Sequence, residues 1–308
     1  MKASAKTQVH SLLEMPLLRL LKQAEEVRKK YLGSRLELCS IINAKSGLCT
    51  QDCKFCAQSL HHSTQIETYP LKEEEEIIQA AQRAKQMGAE RFGIVTSGRS
   101  LSWQELKKVA RSITRIKKEV KIETCASLGS LDEEGLFLLK QSGLTRYHHN
   151  IETSPSYFPQ IVSTHSFKER IQTVQNAKKV GLEVCSGGII GMGESWQDRI
   201  EMAFLLKELE VNSVPINILV AIKGTALENL EPLSCLDAIR SIANFRIILK
   251  DKIIKIAAGR ETVLKDFQAL GFMAGANGML IGGYLTIKGR PVEEDWKLIQ
   301  EVKRIWSE

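Results

Sequence analysis

Short apolar runs alternate with amphipathic stretches along most of the chain. Eight of the apolar runs have the length of β-strands: residues 36–43, 91–96, 121–127, 145–151, 183–190, 214–220, 253–257 and 279–281. Runs that are apolar throughout, without strict alternation, are typical of strands that are covered on both faces. The pattern therefore predicts eight buried strands of a parallel sheet.

The stretches between these runs carry apolar positions at helical spacing. They predict helices over residues 72–87, 103–118, 132–141, 167–180, 196–209, 235–249 and 262–270, with a last helix over 292–306. Gly88, Gly143, Gly181 and Gly271 fall where helices should end, as glycine favours a helix C-terminus. Regular alternation of strand and helix predicts an α/β fold, a (β/α)8 barrel of the TIM type, with a doubly wound open sheet as the alternative.

An extra N-terminal helix is predicted over residues 11–30, before the first strand. No linker rich in Pro, Gly or Ser interrupts the remaining pattern, and no tight repeat is present. We therefore expect residues 1–34 to form a helical extension and residues 35–308 to form a single barrel domain.

Composition narrows the class of protein. Apolar residues make up 43% and charged residues 26% of the 308 residues, as in globular proteins and unlike disordered chains. No run reaches the about 18 apolar residues of a membrane-spanning helix. The net charge is +7, but Lys and Arg are interspersed with Glu, so neither a nucleic acid nor a membrane is an expected partner.

Seven cysteines give the strongest chemical signal. The N-terminus lacks a secretory signal, so we expect a cytoplasmic location, where thiols serve metals or catalysis more often than disulfides. Cys49, Cys53 and Cys56 form the pattern C-x3-C-x2-C directly after the first predicted strand. This spacing favours an iron–sulfur cluster with one open iron, and a zinc site with a distant fourth ligand is the alternative. In a parallel barrel the loop would open at the C-terminal face, where such folds place their active sites.

The cysteine loop and four further blocks resemble the biotin synthase family of radical S-adenosylmethionine (SAM) enzymes. The five blocks are residues 43–59 (NAKSGLCTQDCKFCAQS), 147–154 (YHHNIETS), 184–194 (VCSGGIIGMGE), 214–220 (VPINILV) and 258–277 (AGRETVLKDFQALGFMAGAN). They occur in the order found in the family. The resemblance extends over nearly the whole chain.

The resemblance implies conversion of dethiobiotin to biotin by insertion of sulfur between two unactivated carbons. It implies that Cys49, Cys53 and Cys56 hold a [4Fe-4S] cluster whose open iron binds SAM. One electron then cleaves SAM to a 5′-deoxyadenosyl radical, which abstracts hydrogen from dethiobiotin, and an auxiliary iron–sulfur cluster supplies the sulfur. No side chain can break such C–H bonds, so none is expected to be catalytic and the cofactors carry this step.

Three polar residues match ligand contacts of the family. Asn150 and Glu152 match positions that contact SAM, with Glu152 on the ribose hydroxyls, where the family more often has Asp. Asn150 and Asn217 match residues that contact the ureido ring of dethiobiotin, since an amide both donates and accepts hydrogen bonds. Capping of a strand end is the alternative for either Asn. His148 stands where the family often has Asn and is not counted among these contacts.

The auxiliary cluster is the point at which this chain departs from the family. Well-known members hold a [2Fe-2S] cluster with three cysteines and an arginine, and Cys125, Cys185 and Arg260 match three of these positions. The remaining cysteine should fall at Gly93. Cys39, in the first predicted strand, is the expected substitute. We expect a [2Fe-2S] cluster or a four-iron cluster with an extra sulfide, with Arg260 as a ligand or as a neighbouring cation.

Two other interpretations are compatible with the sequence. The first is a radical SAM enzyme of the same barrel type that acts on another substrate, similar to the hydrogenase-maturation enzymes. The second is a zinc-stabilised barrel that binds a partner. The resemblance further implies an electron donor such as flavodoxin or ferredoxin, and a homodimer.

Overall fold

The computed structural model describes residues 12–286 and 289–307. In this part of the chain the strands form one parallel sheet: β1 (Glu37–Lys45), β2 (Arg91–Thr96), β3 (Glu123–Ser127), β4 (Arg146–His148), β5 (Glu183–Cys185), β6 (Gly188–Ile190), β7 (Ser213–Ile218), β8 (Ile253–Ile256) and β9 (Gly278–Leu280). Their order is β5-β4-β3-β2-β1-β9-β8-β7-β6, and a pairing between β5 and β7 closes the ring. Because β5 and β6 together occupy the position of one barrel strand, the ring has the eight strand positions of a (β/α)8 barrel.

Helices form the outer layer of the barrel. Their bounds are α1 (Leu17–Leu32), α2 (Glu74–Gln86), α3 (Trp103–Arg115, continued by a π-helical turn over Ile116–Val120), α4 (Glu133–Gln141), α5 (Phe158–Ile161), α6 (Phe167–Lys179), α7 (Trp196–Glu208), α8 (Cys235–Leu249), α9 (Arg260–Val263), α10 (Gln268–Met273) and α11 (Val292–Ser307). Ser102, Ser166 and Ser195 begin three of them with capping boxes. These reciprocal bonds satisfy free amides in the first turn and set where each helix starts.

The apolar core lies between the sheet and the helices. On β2, Phe92 and Ile94 are buried in the same apolar cluster as Ile77 of α2. The alternate residues of the strand, Gly93 and Val95, line the interior of the barrel. Outward positions are therefore large and apolar, whereas the inward positions leave room for a cavity.

The predicted (β/α)8 barrel with a preceding helix is confirmed, and each predicted strand overlaps an observed one. The open-sheet alternative is wrong because β5 pairs with β7. The helix before the barrel covers Leu17–Leu32, whereas Ser11, at which it was predicted to begin, lies outside the described residues. Among the described residues, no helix has both the length and the apolar character needed to cross a membrane.

The single helix predicted over residues 262–270 is wrong. The chain forms two short helices here, α9 and α10, joined by a 3-10 turn over Lys265–Phe267. Lys265 has a φ of +47°, a left-handed conformation that interrupts a right-handed helix. With this break, Leu264 and Phe272 are both fully buried in the core.

Gly187 lies between β5 and β6, close to β7 and to the segment that follows β4. Its N–H donates to Asn150 Oδ1 (3.0 Å), and its carbonyl accepts from the N–H groups of Ile151 (3.0 Å) and Glu152 (3.2 Å). A Cβ at this position would stand 2.0 Å from the carbonyl oxygen of Pro215. Glycine is therefore required here by the close approach of β7.

We predict that Gly187→Ala lowers the free energy of unfolding by about 2–3 kcal/mol, because the backbone must move to admit the methyl group. The matched control is Gly271→Ala in α10, where the new Cβ would have its nearest neighbour at 3.5 Å. That variant should keep its stability or gain up to about 1 kcal/mol from helix propensity. Urea unfolding followed by far-UV circular dichroism measures both, and equal midpoints for the two variants would contradict the steric argument.

Candidate active site

A cavity of about 450 Å³ occupies the interior of the barrel. It extends from the loops that follow the strands down to Arg91, the first residue of β2, and to Lys255 of β8. Most of the predicted site residues line it: Cys39, Cys56, Cys125, Cys185, Asn150, Glu152 and Asn217. Among the other three, Cys49 and Cys53 lie in the same loop as Cys56, whereas Arg260 lies elsewhere.

The cysteine loop (residues 49–56) closes on itself after β1. Cys49 N donates to Gln58 O (3.0 Å), Leu60 N donates to Cys49 O (2.8 Å), and Cys56 N donates to Cys53 O (2.9 Å). The three thiols lie close together, since the charges of Cys49 and Cys56 act on Cys53 and that of Cys49 acts on Cys56. The loop thus gathers three soft ligands at the mouth of the cavity.

Burial is the main influence on the protonation of Cys53 and Cys56. It raises the pKa of Cys53 to about 12 and that of Cys56 to about 11, and the neighbouring thiol charges add to the rise. Thiolates in such a place need a bound metal to offset their charge. Within residues 12–286 and 289–307, no three Cys, His, Asp or Glu side chains are placed to hold one metal ion. Three thiols at this spacing fit a multi-iron cluster with one open iron, whereas a structural zinc ion normally takes four protein ligands.

Asp52 ties the cysteine loop to the segment after α5. Its carboxylate accepts from the N–H groups of Ser163 (3.0 Å) and Thr164 (3.1 Å), from the Thr164 hydroxyl (2.8 Å) and from the Ser163 hydroxyl. Burial opposes ionisation, but these bonds hold the pKa of Asp52 well below its usual range. Lys54 N adds a second tie by donating to Ile161 O (3.0 Å). The ligands of the loop are therefore held on a fixed support.

Asn150 and Glu152 follow β4 and face the cavity. Asn150 Nδ2 donates to Glu152 Oε2 (3.2 Å). Arg170 of α6 donates to Asn150 O (2.8 Å) and lies 3.5 Å from Glu152 Oε1. Glu152 has a φ of +70°, which is uncommon for a side chain of this size and concentrates at ligand sites.

The amides of Asn150 and Asn217 are bonded to two consecutive glycines. Asn150 Oδ1 accepts from Gly187 N (3.0 Å), and Asn217 Nδ2 donates to Gly188 O (3.2 Å). Asn217 Oδ1 also accepts from Ala258 N (3.2 Å). Both side chains thus bond to the backbone, as the strand-capping interpretation expects, but these bonds do not use all of their hydrogen-bonding groups. Each NH2 group has two N–H bonds and uses one of them in the contacts given above, so each retains a second donor beyond its contacts with the described residues.

The glycine-rich turn after β6 is held by Glu194, which sequence reasoning missed as a structural anchor. This buried carboxylate accepts from Gly191 N (2.8 Å), Met192 N (2.7 Å) and Arg199 Nε (2.6 Å). It thereby fixes the end of β6, where Ile189 lines the cavity. The signal that could have revealed it is an acidic residue directly after a turn of small residues, where free backbone N–H groups need an acceptor.

The three inner cysteines meet because they take inward positions on β1, β3 and β5. Cys39, Cys125 and Cys185 all line the cavity. Gly93 pairs with Cys125 on one side and with Ile41 on the other. A Cβ at Gly93 would lie only 3.0 Å from Ile41 Cγ2. At Gly93, where β2 lacks a thiol, the space for a side chain is limited by Ile41 of β1. The same strand carries Cys39, two residues before Ile41.

Lys255, and not Arg260, is within hydrogen-bond distance of an inner cysteine. Lys255 Nζ lies 2.9 Å from Cys39 Sγ and 2.7 Å from Glu37 Oε1. Arg260 instead pairs with both carboxylate oxygens of Asp295 (2.9 and 2.8 Å) and does not line the cavity. Sequence reasoning missed Lys255, although a lysine within the apolar strand β8 was a usable signal, because buried lysines require a partner.

The surrounding charges separate the pKa values of the inner thiols. Burial raises the pKa of Cys185, but His148 and Lys255 outweigh it and bring the pKa to about 6. Burial raises the pKa of Cys125 to about 12. It also raises the pKa of Cys39, although Lys255 opposes the rise. Cys185 is therefore the inner thiol at which nearby charges outweigh burial and favour the thiolate.

Glu37 lies beneath the inner cysteines and forms ion pairs with two cationic side chains, Arg146 and Lys255. It accepts from Arg146 Nη1 (2.6 Å) and Nη2 (3.3 Å) as well as from Lys255. Burial raises the pKa of Glu37, but Lys255 and Arg146 more than compensate and hold it well below its usual range. Arg91 also lines the floor and donates to Thr145 Oγ1 (2.6 Å). The floor of the cavity is thus charged, unlike the apolar filling of an ordinary barrel.

Comparison with known proteins agrees with this architecture. A profile described as the Radical SAM superfamily matches residues 45–206, and one described as the Biotin and Thiamin Synthesis associated domain matches residues 215–303. The chain is 56% identical to the biotin synthase of Thermotoga neapolitana over 89% of this chain and 98% of that protein. It is 51% identical to that of Carboxydothermus hydrogenoformans over 93% of this chain and 89% of that protein.

The chain belongs to the biotin synthase family. Membership implies a [4Fe-4S] cluster and SAM as cofactors, and the three thiols of the cysteine loop fit the cluster.

Two solved structures of other enzymes have a similar fold. Methylornithine synthase (PylB) superposes with a TM-score of 0.83 at 20% identity, covering 97% of this chain and 92% of that one. The FeFe-hydrogenase maturase HydG from Carboxydothermus hydrogenoformans gives 0.79 at 19% identity, covering 97% and 78%. At such identities the likeness shows the barrel alone, so the hydrogenase-maturation alternative is not favoured over the biotin synthase family.

We predict that Asp52→Ala releases iron from the cysteine loop about tenfold faster, because the loop loses its tie to Ser163 and Thr164. The measurement is bleaching of the visible iron–sulfur absorption by a chelator under anaerobic conditions. Asp266→Ala, which removes an exposed carboxylate far along the chain, serves as the control and should bleach at the parent rate. Equal rates for all three proteins would show that Asp52 does not support the loop.

Proposed function

We propose that this member of the biotin synthase family inserts sulfur into dethiobiotin to form biotin, with the sulfur supplied by an auxiliary iron–sulfur cluster inside the barrel. One observation carries the proposal: a single cavity joins the cysteine loop at its mouth to three further cysteines at its floor. A substrate between them would be within reach of both sets of thiols. Identities of 51% and 56% to named biotin synthases support the same reaction.

In this proposal the residues of the chain bind the cofactors, orient the substrate and shield both from water. When bound, the [4Fe-4S] cluster with SAM supplies the one-electron chemistry that activates a C–H bond, and the auxiliary cluster supplies sulfur. Cys49, Cys53 and Cys56 hold the first cluster as thiolates. Asp52 keeps the loop on its support through four hydrogen bonds.

The polar wall of the cavity positions the organic ligands. Asn150 and Glu152 would bind SAM, with the carboxylate of Glu152 accepting from the ribose hydroxyls. Asn150 and Asn217 would bind the ureido ring of dethiobiotin. Because their partners Gly187 and Gly188 are consecutive, the two amides are held in a fixed relation, which suits a rigid cyclic urea.

Apolar side chains complete the wall and limit the access of water. They include Ile41, Val95, Ile189, Ile218, Leu219 and Val220. A reaction that passes through reactive carbon and sulfur species needs such a lining, because water and polar groups would divert it.

For the auxiliary cluster we propose Cys39, Cys125 and Cys185 as its thiolate ligands. Three thiolates leave one iron of a four-iron cluster open, and an extra sulfide on that iron would be a natural sulfur donor. A [2Fe-2S] cluster is the alternative, and an iron count separates the two. Arg260 is engaged by Asp295, so Lys255 takes the role of the neighbouring cation.

Two further parts of the proposal rest on the family. An electron donor such as flavodoxin or ferredoxin would reduce the cluster, and the net charge of +7 suits an acidic donor. The protein would act as a homodimer.

We predict that anaerobic incubation with SAM, a reductant and dethiobiotin yields biotin and 5′-deoxyadenosine, detected by mass spectrometry. Cys53→Ala should lower both products at least about 100-fold, because the first cluster loses a ligand. Cys235→Ala is the matched control, since its thiol lies on α8 and faces Leu264 O (3.9 Å) instead of the cavity. Cleavage of SAM without biotin would overturn the proposed substrate, and absence of cleavage would overturn the radical mechanism.

We predict about eight irons per chain in the anaerobically reconstituted protein, four for each cluster. Cys39→Ala should lower the count to about four, whereas Cys235→Ala should leave it unchanged. About six irons in the parent would instead support the [2Fe-2S] alternative. An unchanged count in Cys39→Ala would remove Cys39 from the ligand set.

A further inference from the structure

Lys255 is the one residue whose ammonium group both contacts an inner cysteine and acts electrostatically on all three, as far as the described residues show. Its Nζ lies 2.9 Å from Cys39 Sγ, within hydrogen-bond distance to sulfur. Its charge also favours the thiolate forms of Cys125 and Cys185. Lys255 belongs to β8 and its side chain is buried, so its contact with Cys39 is part of the barrel interior.

The floor beneath Lys255 shares one buried carboxylate between two buried cations. Glu37 accepts two hydrogen bonds from Arg146 and one from Lys255. Glu183 pairs with Arg146 as well (2.8 Å), but about half of that carboxylate is exposed and solvated. Arg146 is thus compensated from both sides, whereas the remaining partner of Lys255 is the thiol of Cys39.

We propose that Lys255 is a positioning residue of the auxiliary cluster: it donates a charge-assisted hydrogen bond to the sulfur of Cys39, holds that ligand in place and raises the reduction potential of the cluster. The inference rests on the inner cluster of the proposed function. Hydrogen bonds and positive charge at the cysteine sulfurs stabilise the reduced state of an iron–sulfur cluster. Lys255 thereby has a role that the sequence pattern had assigned to Arg260.

A purely structural role for Lys255 is the competing explanation. In that case Lys255 only neutralises Glu37, and the cluster would be indifferent to it once Glu37 is neutral. The geometry speaks against this, because Arg146 already gives Glu37 a bidentate partner at 2.6 and 3.3 Å. The two roles differ in what happens when both members of the pair are removed.

The test uses the full chain in which Cys49, Cys53 and Cys56 are replaced by Ala, so that iron binds only at the inner site. The midpoint potential of that iron is measured by redox titration followed by electron paramagnetic resonance, with no turnover required. In this background Lys255→Met should shift the potential to a more negative value, and chelator should remove iron about tenfold faster. Lys255→Arg keeps the charge and should stay near the parent potential. Lys178→Met, which breaks a surface pair with Glu210 (2.9 Å), is the control and should change neither quantity.

The double variant Lys255→Met with Glu37→Gln separates the two roles. A double-variant potential that is more negative than that of Glu37→Gln alone supports the proposal, and so does a well-folded Lys255→Met that loads no iron beside a Lys255→Arg that does. A double-variant potential equal to that of Glu37→Gln alone overturns the proposal, as does an unchanged potential in Lys255→Met or equal loss of iron in the Met and Arg variants. If the parent background binds no iron at all, the inner cluster of the proposed function fails instead.

Discussion

The shared carboxylate of Glu37 is the interaction on which the inner part of this barrel depends. Most barrels of this type fill their interior with branched apolar residues. Here Glu37 binds Arg146 and Lys255 at the floor, and both cations are almost completely buried. Two buried cations on one carboxylate are unfavourable unless further partners are near: Glu183 also pairs with Arg146, and the thiol of Cys39 accepts from Lys255. Lys255 thereby links the charged floor to the cysteines above it.

The cavity above that floor is shaped by backbone as much as by side chains. Gly187 and Gly188 let β4, β5 and β7 approach closely, and the same two residues bind the amides of Asn150 and Asn217. The wall that carries the polar groups is therefore rigid, whereas the thiols lie at its two ends. The cavity is thus bounded by thiols at both ends and by fixed polar and apolar groups along its wall.

Much of the fold was predictable, because parallel strands and amphipathic helices leave different periodicities in the sequence. Alternation of the two gave the barrel, and the C-x3-C-x2-C spacing located the cysteine loop within a few residues of one strand end. The helix predicted over residues 262–270 failed because a left-handed Lys265 leaves no mark on the pattern of apolar residues. The position of Arg260 outside the cavity was not visible in the sequence for a related reason. Arg260 stands in a motif, but its direction is set by Asp295, which is 35 residues away in the chain.

Local spacing by itself determined the strand and helix order, the cysteine loop and the family resemblance, since each depends on residues that are near in the chain. The meeting of Cys39, Cys125 and Cys185 was predicted only as a consequence of barrel closure. Tertiary structure decided which cation joins them, because Lys255, Glu37 and Arg146 come from three separate strands and become neighbours only when the ring closes. It also brought the side chain of Ile41 beside Gly93, a contact between strands that no spacing within one strand records.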